Sequence, residues 1–308
     1  TFLFMFIAAV GVMLLPPFNL KILSFSEERK MRRFLSLALV LVLCLSMAAC
    51  GKKTEDSLSD GVLTVAMECA YAPYNWTQND DANGAVEIRG SSDYAYGYDV
   101  MMAKKIGEAL GQKVQIVKLD WDSLIPAVMS GDVDCVIAGQ SITAERAAQV
   151  DFSDPYYYAS IVTLTKKDSA YANAASVADL AGATATSQLG TIWYDTCLPQ
   201  IENANILPAQ ETAPAMLVAL NSGACDIVVT DHPTGQAALT AYPDFTLLDF
   251  GGGDNDFQVS DEDINIGISM KKGNTALKDA INEVLATMTT DDYNTMMDEA
   301  ISVQPLSE

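Results

Sequence analysis

From Gly61 onward, short apolar runs alternate with amphipathic runs of helix length, and this alternation constrains the fold more than any other feature of the chain. Strands separated by helices in this rhythm specify an α/β chain with mostly parallel strands. VLTVAME (62–68), KVQIVKL (113–119) and VDCVIAG (133–139) read as strands. Between them, GYDVMMAKKIGEALG (97–111) sets Val100, Ala103, Ile106, Ala109 and Leu110 on one helical stripe and stops at a glycine. WDSLIPAVMSG (121–131) does the same with Leu124, Ile125, Val128 and Met129. A second set with the same grammar begins near Ser160, running through SIVTLTK, ATATSQ, ETAPAMLVALNSG, DIVVTD and PTGQAALTAY. INIGISMKK (264–272) reads as one more strand, followed by two amphipathic helices. The Gly- and Asp-rich run FGGGDNDFQVSDED (250–263) reads as a mobile loop near a hinge.

Charge narrows the function. Beyond Cys50 there are 13 basic and 38 acidic residues, a net of −25. No basic stripe is available to neutralise phosphates, so nucleic acid is excluded as a partner. Anionic lipid headgroups should repel such a body. The whole chain has one histidine, His232, and only two arginines after Cys50, Arg89 and Arg146. Histidine-rich metal sites are thereby ruled out, and no metal or other cofactor is expected. Six cysteines contain no C-x-x-C pair, so a zinc knuckle and a thioredoxin-like motif are both absent. Cys69, Cys135 and Cys225 end apolar runs and are expected as buried free thiols, whereas the state of Cys197 is open.

The amino-terminal segment reads as an address. Met31-Arg32-Arg33 precedes FLSLALVLVLCLSMAAC (34–50), a positive region followed by a short apolar one and a small-residue exit. This is the pattern of a secretory signal peptide over 31–49. Met47-Ala48-Ala49-Cys50-Gly51 resembles a bacterial lipobox, which implies lipidation of Cys50 and anchoring to the membrane through that lipid. Residues 50–60 then read as a flexible tether. Translation is expected to start at Met31, which leaves 1–30 as an upstream non-native extension.

In open α/β sheets, ligands bind outside the carboxyl ends of the strands. The residues to examine are therefore Glu68–Tyr74, Gly139–Thr143, Gln188–Ile192 and Asp231. After the third strand, GQSITAER (139–146) lets Thr143 cap a helix with Arg146 on its first turn. An arginine there is either an anion clamp or half of a surface ion pair.

Beyond this point the reading rests on resemblance. WDSLIPAVMSGDVDCVIAGQSITAERAAQVDFSDPYY (121–157), with GYDVMMAKKIGEAL (97–110), the Tyr71-Ala72-Pro73-Tyr74 turn and Val229-Thr230-Asp231, is similar to the extracytoplasmic solute-binding proteins of ABC importers for polar amino acids, the family-3 type. The likeness runs over about 61–305. Met101 departs from it, standing where the family pattern has an acid, and the insertion at 79–96 is longer than usual.

The resemblance implies a type II, two-lobed periplasmic-binding-protein-like fold. Each lobe is a mostly parallel sheet flanked by helices, and two hinge crossovers join them. Residues 61–159 and 264–308 would form lobe 1, and 160–263 lobe 2 with the hinge linker. An amino acid would lie between the lobes. Arg146, the Ser141 hydroxyl and the Ile192 amide would take its carboxylate, while Asp231 and the Gly139 carbonyl would take its ammonium. Tyr71 and Trp121 would sandwich its side chain, and Glu68 and Gln188 would line the far end. His232 is expected as a surface neighbour of Asp231, and Tyr156, Tyr157 and Tyr158 as hinge packing. Trp76 and Trp193 are open between core and cleft.

The implied protein is a monomer on the outer face of a cell membrane, of Gram-positive type, handing its solute to a permease and ATPase complex. Two other functions stay open: a cyclic-acid dehydratase-like enzyme, for which Glu68 or His232 would be the acid or base, and an amino-acid sensor. The identity of the amino acid is open as well.

Overall fold

A computed structural model describes residues 59–305 of the 308-residue chain. The expectations for the extension, the signal peptide, Cys50 and most of the tether fall outside the described residues.

Two five-stranded sheets carry the architecture. Ten strands build them: β1 (Val62–Met67), β2 (Lys113–Lys118), β3 (Cys135–Val136), β4 (Asp151–Phe152), β5 (Ile161–Lys166), β6 (Thr184–Thr186), β7 (Asn205–Ile206), β8 (Ile227–Asp231), β9 (Phe245–Leu248) and β10 (Ser269–Met270). The first sheet has the order β2-β1-β3-β10-β4 and the second β7-β6-β8-β5-β9. In each, the first three strands pair in parallel and the fourth is antiparallel to both neighbours. That fourth strand is the one adjoining a crossover: β5 is the first strand of the second sheet, and β10 the strand with which the chain returns to the first. Four of the five strands in each sheet thus run the same way, as the alternating pattern implies.

The crossovers pair with each other. Tyr157–Tyr158 forms a two-residue antiparallel ribbon with Asn265–Ile266. INIGISMKK is therefore not one strand: its first part belongs to this ribbon and Ser269–Met270 to the first sheet. VDCVIAG is likewise shorter than its apolar run, with only Cys135–Val136 in strand.

Helices α1 (Tyr98–Leu110), α2 (Leu124–Ser130), α3 (Ala144–Gln149), α4 (Ala213–Ser222), α5 (His232–Ala241), α6 (Thr275–Leu285) and α7 (Thr290–Val303) cover the sheets. On α1 the buried face is Val100, Met102, Ala103 and Ile106, whereas Ala109, expected on it, is exposed. Met129 on α2 is also exposed. α7 packs against both α1 and α5, and Gln304 Nε2 donates to the Ala237 carbonyl, so the last helix touches elements of both halves.

The expected mobile run 250–263 is partly built. It holds a 3-10 turn at Gly253–Asn255, a buried Phe257, and a helical turn at Asp261–Ile264 closed by a Ser260–Asp263 capping box. The insertion adds Val86–Glu87 and Tyr94–Tyr96 to a small antiparallel sheet begun by Ala70–Tyr71 and Asn75–Gln78. Its Ile88 bridges Ile116, and Arg89 N donates to the Ile116 carbonyl, so it covers the outer edge of β2. Covering an edge strand removes a template for unwanted pairing. Cys69, Cys135, Cys197 and Cys225 are buried free thiols. No helix among the described residues is long and apolar enough to cross a membrane.

Candidate functional site: the cleft between the sheets

The carboxyl ends of four strands converge. β1 runs into Glu68–Tyr74, β3 into Gly139–Arg146, β6 into Gln188–Ile192, and β8 ends on Asp231. Several side-chain hydrogen bonds cross between the halves at the cleft. Tyr71 Oη donates to Asp231 Oδ2, and Gln188 Nε2 donates to Glu68 at 3.2 Å. The Gly190 carbonyl accepts from Arg146 Nη2 at 2.9 Å and from Trp121 Nε1 at 3.3 Å.

Asp231 sits at the amino end of α5 as its cap. Oδ1 accepts from Thr234 N at 2.9 Å, and Oδ2 accepts from Thr234 Oγ1 at 3.0 Å as well as from Tyr71. Only 1 % of the residue is exposed. Burial dominates its titration and raises the carboxyl above its ordinary value, against the opposing pull of the Tyr71 and Thr234 hydrogen bonds. Such a carboxylate is solvated by dipoles but lacks a counter-charge.

Arg146 lies on the first turn of α3, which Thr143 caps through its side chain. Its guanidinium donates to two neutral carbonyls, Ser141 O at 2.9 Å and Gly190 O. The guanidinium carbon stands 5.5 Å from the Trp121 ring centroid, within cation–π range. Burial lowers its pKa, a shift that nearby Glu145 and Asp195 oppose. Ser141 thus meets the arginine through its carbonyl. Ile192, which is buried, stands at the cap of a π-helical turn over Trp193–Cys197.

Tyr71 and Trp121 do not face each other across a slot. Their rings meet edge-on, with centroids 6.4 Å apart. Tyr71 instead stacks on Tyr74 at 4.7 Å and approaches Trp193 at 6.1 Å, which places Trp193 at the cleft. Trp76 packs on Tyr96 in the insertion. These two tyrosines press on Gly139, where a Cβ would lie 2.6 Å from Tyr71 Cε1 and where φ is +62°. Only glycine meets both conditions.

A buried network that sequence reasoning missed holds two of the cleft loops in place. Asp99, at 0 % exposure, accepts from Asn75 Nδ2 at 2.7 Å and from Tyr156 Oη at 2.6 Å. Tyr156 Oη in turn accepts from Gly139 N at 3.0 Å, and Asn75 Oδ1 accepts from Cys69 N at 2.7 Å. One carboxyl thereby ties the turn after β1, the turn after β3 and the first crossover together. Burial pushes it up to about 7. The signal was present, since Asp99 lies in the opening pattern GYDVMM, but nothing in the sequence joins it to Tyr156. Gly190 and Thr234 were missed for the same reason.

Glu68 is only 4 % exposed and opens onto a cavity of about 320 Å³ lined also by Asp120, Trp121, Asp122, Leu189 and Glu211. Burial is the main cause that raises Glu68 to about 7; the Gln188 bond lowers it, Asp120 and Asp122 raise it, and Lys118 lowers it. A larger hollow of about 820 Å³ lies between the segment 69–79 and α4–α5, lined by residues such as Trp76, Leu217 and Tyr242. Lys118 is its one charged side chain, whereas the smaller cavity gathers four carboxylates. His232 is half-buried, and its amide donates to the Ser160 carbonyl. No group of three His, Cys, Asp or Glu side chains among the described residues is arranged to hold a metal ion.

The chain is similar to known amino-acid-binding proteins. Over 163 residues the chain is 32% identical to the arginine-binding extracellular protein ArtP of Bacillus subtilis (strain 168), covering 53% of this chain and 58% of that one. Over 220 residues it is 30% identical to a probable histidine-binding protein of Campylobacter jejuni, with coverage of 70% and 79%. A crystal structure of the substrate binding protein of an amino acid ABC transporter superposes with a TM-score of 0.63 at 29% identity, over 79% of this chain and 100% of that one. The model of the bacterial extracellular solute-binding proteins, family 3, matches residues 63–301, and the chain belongs to that family.

Proposed function

We propose that the protein is the extracytoplasmic receptor of an ABC importer, binding an amino acid between its two lobes and delivering it to a membrane permease and its ATPase. The observation that carries this reading is the placement of Arg146, on the helix that follows β3 of one sheet, and Asp231, at the end of β8 of the other, with hydrogen bonds already crossing between the halves. A zwitterion gives up its hydration on enclosure, and a buried charge without a partner is costly, so each pole needs an opposite charge.

Arg146, with the Ser141 hydroxyl and the Ile192 amide, takes the carboxylate. Asp231, with the Gly139 carbonyl, takes the ammonium. Tyr71 and Trp121 hold the side chain, and Glu68 and Gln188 meet its end. Because the two charges come from different lobes, full binding requires closure, and the permease reads the closed form. The lobes divide near residues 160 and 264, the crossovers being the paired segments at Tyr157–Tyr158 and Asn265–Ile266. The receptor acts as a monomer, tethered through a lipid on Cys50 to the outer face of a Gram-positive membrane. The relatives from Bacillus subtilis and Campylobacter jejuni are named for arginine and histidine binding, which supports an amino acid as the solute class.

A thermal-shift screen across the twenty amino acids tests the reading. A true ligand raises the melting temperature in a concentration-dependent way, by an added stability of about 2.7 kcal/mol at 100 times its Kd. If none does so, the solute class is wrong.

A further inference from the structure

We propose that Asp99 is a positioning residue for the ammonium end of the cleft, a buried carboxylate that does not itself touch the solute but acts on it through the Tyr156 hydroxyl and the Gly139 turn. The inference rests on the amino-acid reading above, in which Asp231 and the Gly139 carbonyl take the ammonium, and adds to it a residue and a proton linkage.

Three observations carry it. First, the route is continuous and buried. Gly139 N donates to Tyr156 Oη at 3.0 Å, and Tyr156 Oη donates to Asp99 Oδ1 at 2.6 Å. Hydrogen bonds that run in one direction polarise one another, so charge on Asp99 is felt at the Gly139 turn. Second, that turn presents an open acceptor: among the described residues no backbone amide donates to the Gly139 carbonyl. Third, the partners of Asp99 suit its ionised form. A carboxylate only accepts, and Asn75 Nδ2 and Tyr156 Oη both donate to this one, on the first turn of α1 where the helix end favours an anion. A proton on Asp99 would set a further donor against these two. The titratable groups around it are Cys69 and Tyr71 from the segment after β1, Tyr98 from α1 and Tyr156 from the first crossover. Burial raises all four, which leaves them uncharged near neutral pH, and none is a cation. Burial without a counter-charge holds Asp99 at about 7, so an arriving ammonium favours its ionised form and binding releases a proton.

Isothermal titration of the native protein, Asp99→Asn and Tyr156→Phe with each of the twenty standard amino acids tests the inference. Asparagine keeps the shape of Asp99 and mimics its uncharged form. At about pH 8, Asp99→Asn should bind the solute that the native protein prefers about 10-fold more weakly, the factor for one hydrogen bond to a charged group. At about pH 5, where Asp99 itself is protonated, the two proteins should bind alike. Glu68 and Asp231, which burial also raises, are present in both and cancel from the comparison. Tyr156→Phe cuts the route, and adding Asp99→Asn to it should cost no more than about 2-fold further. A loss of the same size at both pH values, or two changes that add in full, would make Asp99 a scaffold group and overturn the inference while the amino-acid reading stands. Where Asp99→Asn does not fold, Tyr156→Phe decides through the protons released on binding at about pH 7, measured in two buffers of different ionisation enthalpy. The count should fall below the native one, and an unchanged count overturns the inference. Binding of none of the twenty amino acids overturns both readings.

Discussion

Asp231 and Arg146 carry opposite unit charges at the two ends of one cleft, yet their surroundings are built differently. Asp231 is completed by its own helix, receiving two bonds from Thr234 within the α5 cap and a third from Tyr71 across the gap. It is fully enclosed, and burial raises its pKa. Arg146 rests on carbonyl oxygens, one from its own half and one from the other. The acid is thus a fixed feature of the second half that lacks a counter-charge, whereas the arginine itself reaches across and registers whether the halves are together. Charge at one pole is prepared locally, and at the other it is prepared by closure.

The sharpest way to break this contrast is to remove each charge in turn. Arg146→Ala and Asp231→Asn are each expected to weaken amino-acid binding about 100-fold or more, about 3 kcal/mol, because each leaves one pole of the solute buried without a partner. The unliganded proteins should differ in sign. Asp231→Asn keeps an acceptor for the Thr234 amide and removes a costly buried charge, so its melting temperature should hold or rise. Arg146→Ala loses the bond to Gly190 and should melt slightly lower. Calorimetry of both variants, with and without ligand, checks this; equal shifts of the unliganded proteins would erase the distinction.

Proton linkage should give the next largest effect. Burial raises Glu68 from 4.5 to about 7 and Asp99 from 3.8 to about 7. Between those limits the native state keeps protons that the unfolded chain has released, so stability of the unliganded protein falls as pH rises from about 4.5 to about 7. The slope is at most about 1.4 kcal/mol per pH unit for each group. Melting curves of the unliganded protein at several pH values check this. A flat profile over that range would mean that burial does not hold these carboxyls protonated.

The smallest effect is expected at the Tyr71 hydroxyl. A carboxylate has about four acceptor positions, and Asp231 uses three. The ligand ammonium can take the fourth without displacing the tyrosine. Tyr71→Phe should then cost no more than about 5-fold in affinity, about 1 kcal/mol, with the ring still stacked on Tyr74. A larger loss would show that the hydroxyl helps hold the two halves together.

Much of the framework was legible from residues alone. VLTVAME and KVQIVKL became β1 and β2 almost to the residue, because β-branched runs bounded by polar residues have few other uses. The segments that meet at the cleft were also legible, since each follows a strand. Less legible were elements defined by partners far away in the chain. INIGISMKK divides between a crossover ribbon and a sheet, a split that depends on Tyr157–Tyr158 and on β3 and β4 rather than on its own pattern. Ala109 and Met129 fit a helical stripe but face outward, because the stripe's width is set by what packs on it.

Local pattern therefore determined the two sets of strands and helices, the acidic body, and the arginine and aspartate at strand ends, all of which follow from side-chain period and residue type within short windows. Tertiary structure alone decided that Asp99 joins Asn75 and Tyr156, that Tyr71 turns its edge to Trp121, and that Glu68 meets Gln188. Those contacts depend on bringing together residues from distant parts of the chain, and a residue's burial and hydrogen-bond partners are properties of the packed whole.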